Sequence, residues 1–481
     1  MHAATLDRPD TASDGNGGGG TLFQGGGQWR HVEKTCYEHE LAVEARGRHG
    51  YPADKRGIGK RAAETGRRAP QGFMSQGTPT SQSADPQGRL SIGFINWAHA
   101  LDHYVMLIFP TVVIGLEVVY ARNYSELIAL ATASFVAFGV FSLPAGWLGD
   151  RWSRRNMMVL FYAGCGLSLV AAGIAPNLVV LAVALFSLGL FASIYHPVGT
   201  AMLIAQATSR GRSLAFNGVC GNLGAALAAG ITAALVAVLG WRAAFLVPGG
   251  VCLATAVLYP RLVPDEARKS ATRGTAADVS LAAWMAVAIF GLFVVIALCA
   301  GLVFNIISVA LPKIVDERLG ADVPIVLVGG LATAVFMCGA LAQIAVGRLV
   351  ERFPLHILFA AIAALQFLGV LWAAQATGRT LIVALAVAMA AIYAQVTVND
   401  VVIARYTADA WRGRVYAVRY FLTFVVSGAA VSMIALLHGQ GGFGLVLAIT
   451  AVIALGFVVA TAVIAILVNG VEKARAVAPA E

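Results

Sequence analysis

Three ionisable side chains crowd one apolar stretch of this sequence: His99, Asp102 and His103, in Asn96-Trp97-Ala98-His99-Ala100-Leu101-Asp102-His103-Tyr104-Val105. The spacing i, i+3, i+4 puts all three on one face of a helix. A carboxylate inside an apolar helix costs about 2.5–3.5 kcal/mol or more unless it is paired, neutralised or hydrated, so it must face a protein interior or a water-filled cavity. An imidazole changes charge near neutral pH. Asp102 with His99 or His103 is therefore a candidate for carrying one proton. A second apolar run holds Tyr195-His196-Pro197. Pro197 removes a backbone donor and can kink a helix. His196 is a candidate for lining a substrate cavity. The blander reading is a hydrogen-bonded core histidine that never titrates; three histidines and one acid in the same half of the chain favour function.

Other polar groups sit within apolar runs. Asn217 and Asn222 fall in Asn217-Gly218-Val219-Cys220-Gly221-Asn222-Leu223-Gly224, where they either contact substrate or bridge helices. Asn305, Gln395 and Asn399 are further cavity candidates. Asp400 and Arg419 should lie at similar depth and form a structural ion pair, the sharper alternative being contact of Arg419 with an anionic substrate. Glu117 and Lys313 fall near helix ends, where long side chains reach the interface, and no function is assigned to them. The six cysteines form no CxxC or Cys/His ligand set and read as packing residues. There is no GxxxxGK[ST] loop and no HExxH, so ATP-driven transport, a metal centre and a bound cofactor are not expected.

The elements that must position these groups follow from composition. Of 481 residues, 58% are hydrophobic and 12% charged, with a mean hydropathy of +0.76. A soluble domain averages about half apolar and a quarter charged. The excess excludes a soluble enzyme and points to membrane-spanning helices of roughly 20 residues each. The net charge of +9 lies in short gaps between apolar runs and forms no basic patch interleaved with aromatics, so nucleic acid is not an expected partner. Residues 1–90 read as a disordered tail with Gly17–Gly20 and Gly25–Gly27 runs. Residues 1–73 have two readings, a native cytoplasmic tail or translated upstream sequence; the second, with Met74 as the native start, is the favoured expectation.

Twelve spans are predicted, at 92–118, 126–147, 156–175, 178–204, 213–238 and 242–262, then 284–310, 325–347, 355–375, 380–404, 414–437 and 443–468. They form an N-terminal six-helix half over 91–263 and a C-terminal half over 284–469. A linker over 264–283 joins them, and a tail over 470–481 follows. Arginines gather in one set of loops (Arg151, Arg154, Arg155, Arg210, Arg212, Arg348, Arg352, Arg405, Arg412 and Arg414 among them), whereas the other set holds Arg122, Arg242, Lys313, Arg318 and Arg379. Positive loops mark the cytoplasm, so both termini are expected inside. The halves echo each other: Arg210-Gly211-Arg212 recurs as Arg412-Gly413-Arg414, Pro110 as Pro312 and Gly240 as Gly442, all at one offset. Gly146, Asp150 and Arg151 recur as Gly347, Glu351 and Arg352, one position shorter. A parallel duplicated repeat places a site near the midplane between halves that rock. Phe304 and Asn305 stand where Asp102 and His103 stand in the first half.

Between spans two and three the chain reads Gly146-Trp147-Leu148-Gly149-Asp150-Arg151-Trp152-Ser153-Arg154-Arg155. This resembles the loop signature of the major facilitator superfamily of secondary transporters. The resemblance implies an all-α integral membrane protein of twelve transmembrane helices in two pseudo-symmetric halves. It further implies that Gly146, Asp150, Arg151, Arg154 and Arg155 belong to a cytoplasmic gate that latches the halves. The second copy carries Val350, Phe353 and Pro354 in place of Gly149, Trp152 and Ser153, so the latch is expected to be asymmetric. Tyr195-His196-Pro197-Val198-Gly199, Arg210-Gly211-Arg212 and Gly221-Asn222-Leu223-Gly224, with His99 and Asp102 ahead of Pro110, are similar to the fosmidomycin-resistance-type branch. The chain departs from that branch at Val198, where Glu is frequent. The branch implies a proton-coupled drug antiporter.

The expected function is thus secondary transport of a small organic molecule, with proton-coupled efflux by alternating access. The alternative is a proton-coupled uptake symporter of an organic anion, and a non-transporting receptor is a third class. Expected partners are substrate, protons and the lipid bilayer of the bacterial inner membrane. One twelve-helix chain can complete a transport path, so a monomer is the expected working unit.

Overall fold

Lipid offers no hydrogen bonds, so each membrane-crossing segment must satisfy its own backbone. The computed structural model describes residues 86–207, 209–265, 283–320, 323–407 and 409–477, and within them every regular element is helical. The tail through residue 85 with its Met74 start, and linker residues 266–282, lie outside the described residues. The helices are α1 Gln87–Tyr120, α2 Tyr124–Arg151, α3 Arg154–Gly173, α4 Leu178–Gln206, α5 Gly211–Leu239 and α6 Ala243–Leu262. In the second half they are α7 Val287–Leu319, α8 Ile325–Leu349, α9 Leu355–Gln375 and α10 Gly378–Ile403. The last helical stretch, Asp409–Val477, is two passes, because Gly441 and Gly442 leave helical geometry, with φ of −155° and 59°. This makes α11 409–440 and α12 443–477, and α12 runs as a helix into the stretch expected as a C-terminal tail. Twelve passes result. Asn123, Ser153 and Asn177 start α2, α3 and α4 by accepting from the backbone N–H of Glu126, Asn156 and Val180 at 2.9, 3.2 and 2.9 Å.

Three of these helices are interrupted: α2 near its start, between Ile128 and Ala131, and α1 and α4 beside the candidate groups. α1 breaks at Leu107, between Pro86–Met106 and Ile108–Tyr120. α4 breaks after Ala192 and resumes at Tyr195. The breaks in α1 and α4 each lie one turn before a proline, Pro110 or Pro197, where the ring meets the carbonyl four residues back and supplies no N–H. The candidate groups of both helices sit against these breaks.

Within the first half α1 packs on α5 and α3 on α6. Gly224 on α5 is required at that first contact, since a Cβ there would collide with the backbone oxygen of Ala100. The halves meet along α5 with α8 and α2 with α11. Thr333 of α8 donates to the Ala226 carbonyl at 2.7 Å and accepts from Gly230 N–H at 3.1 Å. Ser427 of α11 donates to the Phe135 carbonyl at 3.2 Å. Leu, Val and Phe side chains on the outer faces, such as Val118, Leu167, Val452 and Ile466, are exposed as lipid-facing residues are.

Candidate functional site

The interrupted α1 and α4 bring four ionisable groups together. Asp102 is 1% exposed. Its Oδ2 lies 3.3 Å from Nε2 of His196, a group 94 positions away in sequence, while Oδ1 has no hydrogen-bond partner. His99 and His103, on Asp102's own helix, turn to each other: their Nε2 atoms are 3.2 Å apart. Nδ1 of His99 lies 2.7 Å from the Asn217 carbonyl oxygen on α5, so that nitrogen carries the proton and donates it. The His99 ring stacks on Tyr195, 4.8 Å between centroids. Gly221 of α5 gives it room, because a Cβ there would fall 2.6 Å from His99 Nε2. Tyr195 donates to the Asn217 side-chain oxygen at 3.0 Å, and the Asn217 amide donates to Asn96 at 2.9 Å. This hydrogen-bonded layer fixes how α1, α4 and α5 meet.

Asp102, His103 and His196 face a cavity of about 70 Å³ at the junction of the halves. A single water needs about 10–15 Å³ by the same kind of measure, so the space holds several waters or a small group. Aromatic rings wall it: Phe135 and Phe138 from α2, Phe304 from α7, Tyr393 from α10 and Phe424 from α11. His196 packs on Phe424 at 4.7 Å and on Phe138 at 5.9 Å. Asn305, Ser308, Thr423 and Ser427 supply polar atoms, and no lysine or arginine is among the lining residues.

The remaining candidates divide. Asn305 lines the cavity but donates to the Gly301 carbonyl of its own helix at 2.8 Å. Asn217 is taken up in the layer above, and Asn222 donates to Gln343 of α8, bridging the halves. Gln395 and Asn399 are 4% and 3% exposed, with Oε1 and Oδ1 unpartnered. Arg419 pairs with Asp400, one turn of α11 away from cavity residue Thr423. In the loop motif Arg154 pairs with Asp150 at 2.7 Å, and Arg151 lies over the Trp147 ring at 4.4 Å. Arg155 donates to the carbonyls of Val263, at 2.6 Å, and Pro260 at the end of α6, while Ser153 donates to Asp265 at 2.9 Å. Gly146 brings α2 against the α4 break, with Pro197 3.1 Å from where its Cβ would be.

One cluster departs from the expectation of an interfacial lysine. Lys313 of α7 is 6% exposed. It contacts Glu117 of α1 and Asp316 at 2.8 Å, with Glu317 at 3.7 Å. His438 of α11 lies 3.0 Å from Glu317 and packs on Tyr124 of α2. The arginine-poor ends of α1, α7 and α11 are thus tied by charge, with Tyr124 of α2 packed beside them. Sequence spacing shows only that Lys313, Asp316 and Glu317 share a face; nothing in it announces that Glu117 and His438 complete the set.

A sequence profile of the Major Facilitator Superfamily matches residues 92–330. The multidrug efflux pump LfrA of Mycolicibacterium smegmatis is 32% identical over 123 residues, 25% of this chain and 24% of that protein. A probable sulfoacetate transporter of Cupriavidus necator, SauU, is 26% identical over 147 residues, 30% of this chain and 34% of the other. A gallate transporter of Pseudomonas putida is 30% identical over 156 residues, 32% and 34% of the two chains. The matches therefore span between about a quarter and a third of these relatives. A bacterial homologue of the human lysosomal transporter Spinster, solved inward-facing and occupied, superposes with a TM-score of 0.65 at 12% identity, covering 80% of this chain and 97% of that one. The unoccupied inward-facing form gives 0.60 at 13% identity, over 80% and 95%.

Proposed function

The chain belongs to the major facilitator superfamily, a family of transporters and not enzymes, and from that premise we propose that it exports a small organic molecule in exchange for protons, with Asp102 as the proton site. The carrying observation is a carboxylate 1% exposed, at mid-helix, with one oxygen unpartnered and the other 3.3 Å from His196, on the wall of a cavity between the halves. A group so placed gains by shedding its charge whenever the cavity closes around it empty. A substrate that favours the charged form competes with the proton for one conformation, and that competition is the coupling. His196 is the neighbour that senses the charge; His99 and His103 form the next layer of imidazoles.

Aromatic walls and the lack of lysine or arginine among the lining residues support a small, largely apolar substrate, neutral or carrying one positive charge. The printed names of two relatives favour a second reading, uptake of an organic anion with protons. Arginine-rich loops support a cytoplasmic position for that face and for both termini, in the bacterial inner membrane, with the single chain as the working unit. The Lys313 network then seals the outer end, so the state is inward-facing, with the arginine motif in place to latch the opposite end when it closes.

The test is a deletion strain. Hypersensitivity to a panel of inhibitory organic compounds supports export, whereas failure to grow on an organic acid supports uptake. Returning Asp102→Asn should leave the protein folded and in the membrane but restore no resistance. Full resistance across pH with that variant overturns the assignment.

A further inference from the structure

His99, His103 and His196 have an arrangement that proton carriage does not require. One imidazole nitrogen from each lies within 4.8 Å of those of the other two. The His99 ring already has an outer partner, the Asn217 carbonyl oxygen 2.7 Å from its Nδ1, while its Nε2 faces His103, and the Asp102 carboxylate lies 3.3 Å from Nε2 of His196. Metal-binding histidines are held in this way, one nitrogen donating to a carbonyl or carboxylate and the other left with its lone pair toward the ion. The His99 and His103 Nε2 atoms are 3.2 Å apart, close to the roughly 3.3 Å edge of a tetrahedron with metal–nitrogen bonds of about 2.0–2.1 Å. Bringing in the third nitrogen requires a closure of the order of an ångström, within reach of a side-chain rotation beside a cavity.

We propose that these three histidines form a site for a borderline divalent transition-metal ion such as Zn²⁺, Co²⁺ or Ni²⁺. Imidazole suits such ions and is a poor match for Mg²⁺ or Ca²⁺, which take oxygen ligands. Three imidazoles leave one coordination position for the cavity side, as in zinc sites that keep an open place for water or another oxygen donor. Asp102 and Asn217 hold the rings and are not themselves ligands. The inference stands on the geometry of the rings and does not rest on proton coupling.

Co²⁺ reports the site directly. The full chain, purified without a polyhistidine tag, is titrated with Co²⁺ and then with competing Zn²⁺. Tetrahedral cobalt absorption in the visible is expected, displaced by Zn²⁺ and unmoved by Mg²⁺. His103→Gln and His196→Gln should each weaken binding by at least about tenfold and abolish the tetrahedral bands. The four histidines at positions 2, 31, 39 and 49 are untouched by these variants, so bands that survive both of them overturn the proposal, as does a pale octahedral spectrum from the parent protein. Should either variant fail to fold, X-ray absorption of the zinc-loaded parent decides: three imidazole ligands support the site, and an oxygen-dominated shell overturns it. Asp102→Asn keeps the bands with affinity about 10–100-fold weaker, whereas the same change removes proton-driven transport under the preceding section. The two readings therefore fail separately.

Discussion

The two halves solve the same packing problem with the large and small residues exchanged. In the first half Gly221 and Gly224 of α5 make room for α1, the one for the His99 ring and the other for the Ala100 backbone. The repeat puts Gly301 in the place of His99, Thr423 in that of Gly221, and Val426 in that of Gly224. There the glycine is on α7, and Val426 and Thr423 of α11 fill against it, at 3.0 Å and 3.5 Å from where its Cβ would be. The helix spacing survives while the chemistry moves. The first half keeps an imidazole and a carboxylate on α1; the second has Phe304 and Asn305 on α7. The prolines tell the same story. Pro110 is accompanied by a break in α1 at Leu107, whereas α7 runs as one helix, Ala283–Leu319, through Pro312. A duplicated fold tolerates the loss of the buried acid and imidazole from one half, because the helix contact depends on side-chain volume and not on charge.

The sharpest way to break this comparison is to remove its packing premise. Gly224→Val should abolish the folded protein, since its branched side chain would occupy the Ala100 backbone, whereas Gly250→Ala, in open space, should stay within about 0.5 kcal/mol. Detergent thermal unfolding compares them, and equal stability of the two would refute the close contact. Next in size is giving the second half the acid of the first. Phe304→Asp should cost about 2.5–3.5 kcal/mol, read as reduced folded yield, because it puts a second carboxylate on the cavity that Asp102 already lines, with the nearest imidazole, His196, already beside Asp102; a neutral outcome would show that the cavity hydrates charge freely.

Lys313→Met removes the cation that Glu117, Asp316 and Glu317 share. A loss of about 1.5–3 kcal/mol is expected for hydrogen bonds to charged groups. A cysteine placed at Ser308 should then label faster from the arginine-poor face, and unchanged labelling would deny that the cluster seals that end. Smallest and most specific is the size exchange itself. Gly221→Ala should cost about 1–3 kcal/mol by overpacking on His99, and His99→Gly, copying Gly301, should recover most of it. Additive losses in that cycle would mean that the two positions do not touch.

Much of this architecture is legible in the residues. Apolar runs of membrane length, arginines on alternate gaps and recurrences at one offset lead to twelve helices in two halves, and the i, i+3, i+4 spacing aligns His99, Asp102 and His103. Less legible is which neighbour each group meets. Helical spacing made His99 or His103 the natural companion of Asp102, yet His196 stands nearest to it, while the other two imidazoles face each other. Likewise Lys313 reads as an interfacial lysine, and is instead buried among carboxylates from two helices. Periodicity describes one helix at a time, and these contacts depend on how far helices from separate parts of the chain approach and rotate.

The sequence by itself determined the membrane-spanning character, the number of passes and the inequality of the halves, because lipid requires self-satisfied helices of set length and makes each buried charge conspicuous. Tertiary structure alone decided the pairing of Asp102 with His196, the three converging imidazoles and the Lys313 charge network. The physical reason is distance: each joins helices remote in sequence, brought together by small residues, by proline breaks and by side-chain volumes that complement each other only once the bundle is assembled.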